Sequence, residues 1–331
     1  RAWLDAQRAV LRPATDWLRR ILLALSIASV VLWLLPIFSS HSVLFPPGPN
    51  FEDILIYRGR FTLYHTAKFF TSRAFSGFAY PAGSAPIYAA FYATGDGVAA
   101  YFTIAVAASI AALAATFFYL RRYNLAHLFP WLIFFTFPLV WLIQRANIEL
   151  ILILIVATGI LAYYRSLTYV AAILFGLAAA MKLYPILLLG LFLSRKRDLP
   201  AFLTGIFTAL LSMAAAIEFS GPTFTIAAQG FANGLNRFQS RFVNTVSPVE
   251  LAFDHSLFSP IKWFAYAHHA SSGPYMHPYY LLAGAFAALL FLRVRTLPSL
   301  NRVIFLTTAM LALPPVSFSY TLVHLYLPTI L

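Results

Sequence analysis

The sequence predicts an all-α polytopic membrane protein: a bundle of transmembrane helices with two structured extracytoplasmic loops that carry interfacial helices. Three observations predict it. Hydrophobic residues make up 61% of the 331 positions and charged residues only 10%, against roughly a quarter charged in soluble domains. Apolar runs close to the roughly 20 residues needed to cross a bilayer recur along the chain. The basic residues, which give a net charge of +13, sit in short clusters at the ends of those runs. They read as topology signals rather than as a nucleic-acid surface, and no nucleic-acid partner is expected. The chain has no cysteine, which excludes disulfides, zinc thiolates and thiol catalysis.

Residues 1 to 18 form a basic, amphipathic lead-in, too long and too poorly polarised for a cleaved signal peptide. Arg19 and Arg20 mark a membrane boundary, and a first span covers about 19 to 38, closed by Pro36 and the polar SSHS. A second span, 97 to 120, stops at Arg121 and Arg122; a third runs from His127 to about Ile143, and a fourth from Ile148 to Tyr164 ahead of Arg165. The stretch from 168 to 198, TYVAAILFGLAAAMKLYPILLLGLFLSRKRD, should break at Leu183-Tyr184-Pro185, because proline lacks a backbone donor and disfavours helix at the preceding residue. Further spans fall at about 199 to 219, 278 to 292 and 303 to 318. The chain opens on Arg1 and stops inside an apolar run, TLVHLYLPTIL, too short to span, so both ends are expected to be trimmed.

Orientation follows from the basic clusters. With a cytoplasmic N-terminus and a 168 to 193 stretch that dips in and returns, 14 of the 23 Lys and Arg lie inside, eight outside and Lys182 in the membrane, which satisfies the positive-inside tendency. Without the break, parity requires 81 to 93 to be a short span. Both schemes put 39 to 80 outside and Arg195-Lys196-Arg197 inside, while 145 to 149 changes sides. The chain is read as one transmembrane domain, 1 to 331, with a first extracytoplasmic loop at 39 to 96 and a second at 221 to 277. Inverted repeats, a common mark of secondary transporters, are not evident.

The first loop contains FEDILIYRGRFTLYHTAKFFTSRAFSGFAYPAGSAPIY, 51 to 88, with two of the chain's ten carboxylates, Glu52 and Asp53. Residues 54 to 70 carry Tyr57, Phe61, Tyr64 and Lys68 along one helical stripe, which suits a helix lying in the membrane interface. Asp53 at its start is then either a helix cap, favoured by the dipole, or a functional carboxylate. In the second loop, Ser247-Pro248-Val249-Glu250 reads as a capping box opening a helix that would carry Asp254, His255 and Ser256. His268, His269 and His277 match no strong metal-ligand spacing, so no metal and no cofactor are expected.

Several motifs occur in a fixed order. Asp53 is followed four residues later by Tyr57; then come Phe78 to Pro81 (FAYP), Arg145, Asn147 and Glu149, GLAAAMKLYP at 176 to 185, and PPVSFSYTLVHLYLP at 314 to 328. In this order they resemble family 87 of the glycosyltransferases, the polyprenyl-phosphate-mannose-dependent α-mannosyltransferase-like proteins of the GT-C superfamily, over residues 20 to 331. Ala82 stands where the family often has a second Pro, and Ala146 where it often has Gly. Around Phe318 and Ser319 the family often has a Trp or an acidic residue.

The resemblance implies a multi-span hexosyltransferase in a membrane, most simply a bacterial plasma membrane. Its partners would be a polyprenyl-phosphate sugar donor, a lipid or glycan acceptor and the surrounding lipids. The sugar, mannose first, would move with inversion on the extracytoplasmic side. It implies Asp53 as the general base, since an acceptor hydroxyl must lose its proton as the glycosidic bond forms. The departing lipid phosphate needs fixed cations, for which the candidates are Lys182, Arg145, Arg58 and His324. Lys182 stands out because a lysine in an apolar segment costs about 2.5–3.5 kcal/mol and usually lines a polar cavity, though it could also snorkel. His324, four residues after Tyr320, is expected to share its helix face. Glu149 could be a second carboxylate or an internal ion pair with Arg145. Asn147, Tyr57, Tyr80 and His255 complete the candidates for substrate binding, and Tyr88 could also shape the groove. Two alternatives stay open: a flippase for a lipid-linked sugar, and an enzyme resembling the protein O-mannosyltransferases.

Overall fold

A computed structural model describes residues 52–71, 78–122, 141–142, 145–194, 196–244 and 247–330. The expected first span and most of the third lie outside these residues. Among the described residues every regular element is helical, and the one β contact is an isolated bridge between Asp254 and Phe318. The all-α expectation therefore holds.

The first loop folds as three short helices, α1 (Glu52–Leu55), α2 (Arg58–Phe61) and α3 (Lys68–Thr71), then a 3₁₀ turn at Ala82–Ser84 and α4 (Ala85–Ala93). The single interfacial helix expected over 54 to 70 is not formed. Turns separate the pieces, with His65 in the left-handed region at φ 68°, so the aromatic stripe folds inward rather than lying flat. Tyr57 and Phe61 are buried, Tyr64 is half-buried and Lys68 is exposed. Their rings pack edge-on or tilted against the following segment, with centroids 5.1 Å apart for Tyr57–Phe78, 5.4 Å for Tyr57–Tyr88 and 5.1 Å for Phe61–Phe69, the range in which aromatic pairs attract beyond simple burial. At nine residues, α4 reaches about 14 Å, too short to cross a bilayer, which removes the 81 to 93 alternative.

Helix α5 (Gly97–Arg122) follows as a 26-residue rod. Asp96 caps it, its Oδ1 accepting from the Val98 and Ala99 amides at 3.0 and 3.1 Å. Helices α6 (Glu149–Tyr164) and α7 (Thr168–Met181) form an antiparallel hairpin, with Gly159 against Phe175. At Lys182 the backbone becomes extended (φ −143°, ψ 134°), and an 11-residue 3₁₀ segment, Tyr184–Ser194, begins. The predicted break is where the sequence placed it. A 3₁₀ segment rises about 2.0 Å per residue, so these 11 residues reach about as far as the 14 of α7 at 1.5 Å each. Pro185 and the whole run from Leu188 to Phe192 are buried, so the segment is enclosed on every side along that run.

Helix α8 (Leu199–Ser220) runs beside α7 in the same sense: Gly205 lies against Ala172, and Gly176 against Gly205, Thr208 and Ala209. Two parallel neighbours joined in sequence require the 3₁₀ segment between them to travel back, which is the dip and return expected. In the second loop, α9 (Phe224–Gln239) runs into a π turn at Ser240–Asn244, and α10 (Pro248–Leu251), α11 (Ser259–Ala267) and α12 (Met276–Val294) follow. Then come α13 (Ser299–Ala312) and a second 3₁₀ segment, Ser319–Ile330. Two helical stretches among the described residues, Lys196–Ser220 and Gly273–Val294, are long and apolar enough to cross a membrane. Leu203, Phe207 and Phe219 on one and Leu281, Leu282 and Leu289 on the other are more than half exposed. In water that surface would be costly, and in lipid it would not.

The bundle has two unlike ends. At one, Glu149 at the start of α6 meets Lys182 just past α7. At the other, about 24 Å away along the 16 residues of α6, Tyr163 packs on Phe192, and Tyr164 lies beside Ser299 and Arg302. Arg165, Lys196, Arg197, Arg293 and Arg295 belong to the turns of this second end.

Candidate functional site

The first end gathers the charges that the sequence left scattered. Asp53, buried in the short helix α1, presents its carboxylate away from its own helix. Oδ1 accepts from Arg145 Nη2 at 2.6 Å, and Oδ2 accepts from Asn147 Nδ2 at 2.6 Å. These partners, rather than backbone amides of α1, set aside the reading of Asp53 as a helix cap. The turn that presents them hinges on Ala146, whose φ of 52° is left-handed and so favours the glycine often found there in the family. Tyr101, on α5, donates its buried hydroxyl to the Leu142 and Asn147 carbonyls at 3.3 and 3.1 Å and fixes the turn from behind.

Asn147 is the hub. Its Nδ2 donates to Asp53 and to the Tyr80 hydroxyl at 3.0 Å, and its Oδ1 accepts from the Glu149 amide at 3.0 Å and Lys182 Nζ at 3.1 Å. Four partners occupy both ends of the amide and fix which end faces which carboxylate. Beyond it, Glu149 is fully buried and accepts from Lys182, from the Tyr184 hydroxyl and from His324 Nε2 at 2.5 Å. The Lys182 ammonium also sits over the faces of Tyr80 and Tyr320, 5.5 and 5.3 Å from the ring centroids. One continuous polar chain therefore runs from Arg145 through Asp53, Asn147, Lys182 and Glu149 to His324.

This arrangement sorts the candidates. Glu149 pairs with Lys182 rather than with Arg145, because α6 begins at Glu149 and the left-handed turn takes Arg145 off that helix. Lys182 does not snorkel; it points inward. Its side chain is 10% exposed and Glu149 and His324 are sealed, whereas Arg145 is 28% exposed and Asp53 11%. Arg145 is the open member of the network, and Asp53, about as enclosed as Lys182, lies directly behind it.

Tyr57, Tyr80 and Tyr88 form the aromatic wall behind Asp53, and burial raises all three phenols above their usual range, so they remain protonated donors. Arg58 is exposed on α2, near Tyr92 and away from the network. His255 is also apart: α10 ends at Leu251, so it carries neither Asp254 nor His255, and His255 bonds Ser319 at 2.8 Å in the extended pairing of 253–257 with 312–319. Tyr320 and His324 lie on a 3₁₀ segment, where four residues turn through one and a third circles. They therefore occupy different faces, and Tyr320 meets Lys182 while His324 meets Glu149. Tyr184 and Tyr320 were missed as site residues; the proline after Tyr184 marked the break but not the hydroxyl that it aims at Glu149.

The model of glycosyltransferase family 87 matches residues 78–318, well over half of the chain. The chain belongs to glycosyltransferase family 87. No curated protein and no solved structure matches it. The family-87 match takes in Tyr80, Arg145, Asn147, Glu149, Lys182 and Tyr184, while Asp53 and His324 lie outside it on either side. Both nevertheless bond residues within it, Asp53 to Arg145 and Asn147 and His324 to Glu149. The protein is thus a glycosyltransferase whose polar centre joins the matched region to segments flanking it.

Proposed function

We propose that this glycosyltransferase is a polytopic membrane enzyme that takes a hexose, mannose first, from a polyprenyl-phosphate donor. It places the sugar, with inversion, on a hydroxyl of a lipid or glycan acceptor at the extracytoplasmic face. The observation that carries the reading is the Asp53 carboxylate, held between Arg145 and Asn147 and directly behind Arg145, the most exposed member of the charge network. Each carboxylate oxygen has a further lone pair beyond the bond it accepts, so an acceptor hydroxyl can donate to it. In a single displacement the acceptor oxygen bonds the anomeric carbon and its proton passes to Asp53. The bond from that carbon to the phosphate oxygen breaks, and polyprenyl phosphate leaves with the electron pair. The transition state is oxocarbenium-like. Arg145 is the open cation of the network, and its fork suits a phosphate. Lys182, engaged with Glu149 and Asn147, holds the framework. This shifts the phosphate role from the intramembrane lysine to the arginine.

The sidedness rests on the two ends of the bundle. Arg165, Lys196, Arg197, Arg293 and Arg295 share the end opposite Asp53, and the positive-inside tendency assigns that end to the cytoplasm. On the Asp53 side, Arg60, Arg145 and Lys262 are buried or ion-paired, so fewer cations are left facing solvent there.

The test is transfer by purified protein from synthetic polyprenyl-phosphate-mannose, and from the arabinose and glucose counterparts, with wild type and Asp53→Ala. The alanine variant should lose transfer to every donor by a factor on the order of 10²–10⁴, the usual contribution of a general base. Equal turnover by the two proteins would end the proposal. Substrate movement across the bilayer without transfer, unaffected at Asp53, would favour a flippase.

A further inference from the structure

Helix α11 (Ser259–Ala267) is built inside out for a helix that meets water. Its one charged residue, Lys262, is turned inward and 3% exposed, donating to Asp254 Oδ2 at 2.6 Å. Asp254 is fixed in turn by the Ser256 and Ser317 amides on its Oδ1, at 3.0 and 2.9 Å. Ser259 and Ala265 join Lys262 on the buried side, so the covered positions recur every three residues. The opposite side shows Trp263 and Phe264, at 45 and 55% exposure, with Leu257 just before the helix at 56%; Tyr266, one turn beyond Lys262, is 40% exposed where the covered side runs out at the helix end. That face carries no charge. A solvated helix has the reverse pattern, its charges outside and its aromatics packed.

What covers this face follows from where the helix sits. Nine residues after Ala267, helix α12 begins within the membrane-length stretch Gly273–Val294, and its first turns expose Tyr275 and Tyr280. Aromatic rings at the start of a span mark the depth where headgroups meet acyl chains. The loop between them is held short, since Ser272 donates its hydroxyl to the Val243 carbonyl and Ser271 donates to the Asn244 carbonyl at 3.3 Å, so α11 stays at that level. Large amphipathic rings with little charge are the side chains that partition to this boundary.

We propose that α11 is a monotopic anchor that seats Trp263 and Phe264 in the headgroup–acyl boundary of the outer leaflet, with Tyr266 at the edge of the contact. Its occupant is bilayer lipid, and the helix pins the second loop to the membrane surface. The anchor rests on the membrane reading of the chain but not on Asp53 chemistry. Through Asp254 it also restrains Ser317, at the entry to the segment that carries Tyr320 and His324.

Because the 331-residue sequence has no cysteine, Phe264→Cys in this chain carries one labelling site. Labelled with an environment-sensitive fluorophore and reconstituted in phosphatidylcholine–phosphatidylglycerol vesicles, it should shift to the blue. It should lose intensity to lipids with a nitroxide near the headgroup, and lose none to iodide. Trp263→Cys, on the same face, repeats the measurement should the first variant fold poorly. Ala270→Cys, exposed beyond the helix, should be quenched by iodide, and Leu282→Cys, exposed on α12, by a nitroxide deep in the acyl chain. Iodide reaching 264 as it reaches 270, while Leu282 stays in lipid, would overturn the anchor alone. Iodide at Leu282 would overturn the membrane reading and the anchor with it. Protection from both quenchers at 264 would also overturn the anchor, because the face would then be covered by protein.

Discussion

Removing Lys182 tests the polar centre most directly. In Lys182→Met, Glu149 loses a charged partner while remaining sealed, since its side chain is 0% exposed and that of Lys182 only 10%. Breaking a buried ion pair from one side typically costs about 3–5 kcal/mol because the remaining charge is stranded. Tyr184 and His324 continue to donate to the carboxylate, which argues for the lower end, about 3 kcal/mol. Glu149→Gln strands the lysine instead, relieved by Asn147 Oδ1 and two aromatic faces, and should cost a similar amount. The double variant leaves neither charge behind. It should lose no more than either single change, a coupling of about 3 kcal/mol. Thermal unfolding of the purified protein in one fixed detergent reads this, each single variant melting roughly 4 °C lower at an unfolding entropy of about 2.1 cal/mol/K per residue over 331 residues. Single losses that simply add in the double variant would refute the pair as described.

Asn147→Ala removes a neutral donor to a carboxylate, a bond worth about 1.5–3 kcal/mol, so transfer should fall roughly ten- to hundredfold; steady-state kinetics would place the loss in kcat if Asn147 orients Asp53. Gly234→Ala would put a methyl 2.0 Å from the Phe78 carbonyl oxygen, where α9 of the second loop meets the first. A cost of about 1–3 kcal/mol should appear as a lower melting temperature and faster proteolysis of both loops. Burial raises the Tyr57 and Tyr92 phenols above their ordinary value of about 10. The folded state then holds protons that the unfolded chain gives up above that pH, so stability should be level up to about pH 10 and fall beyond it. Melting temperatures at stepped pH check this, and Tyr57→Phe should flatten the decline.

Much of the framework was legible because its signals are local. Apolar run lengths gave the all-α character, and the proline at 185 gave the break after Lys182, since a missing donor and a steric clash act on adjacent residues. The ordered set from Asp53 through Arg145, Asn147, Glu149 and Lys182 to His324 pointed to one centre, and these side chains do meet. Pairings were less legible. Arg145 and Glu149 are four apart, the spacing of a helical ion pair, but the left-handed turn at Ala146 separates them. Tyr320 and His324 suffered the same assumption of 3.6 residues per turn. The stripe of Tyr57, Phe61 and Tyr64 was correct as a face, yet a stripe does not say whether rings turn toward lipid or toward Phe78 and Tyr88. The partnership of 253–257 with 312–319 leaves no trace in either segment alone, which is why His255 was drawn toward the centre and the Asp254–Lys262 pair was not foreseen.

The winding of Ser319–Ile330 has a consequence for evolution of the site. At three residues per turn, Thr321, His324 and Leu327 stack like teeth on one side of a ratchet. Inserting or deleting a single amino acid ahead of them would index the imidazole by roughly 120°, off Glu149 and onto a neighbouring bearing. A step of three would restore the bearing but carry the ring about 6 Å along the axis, past the carboxylate, so the spacing ahead of His324 should tolerate neither.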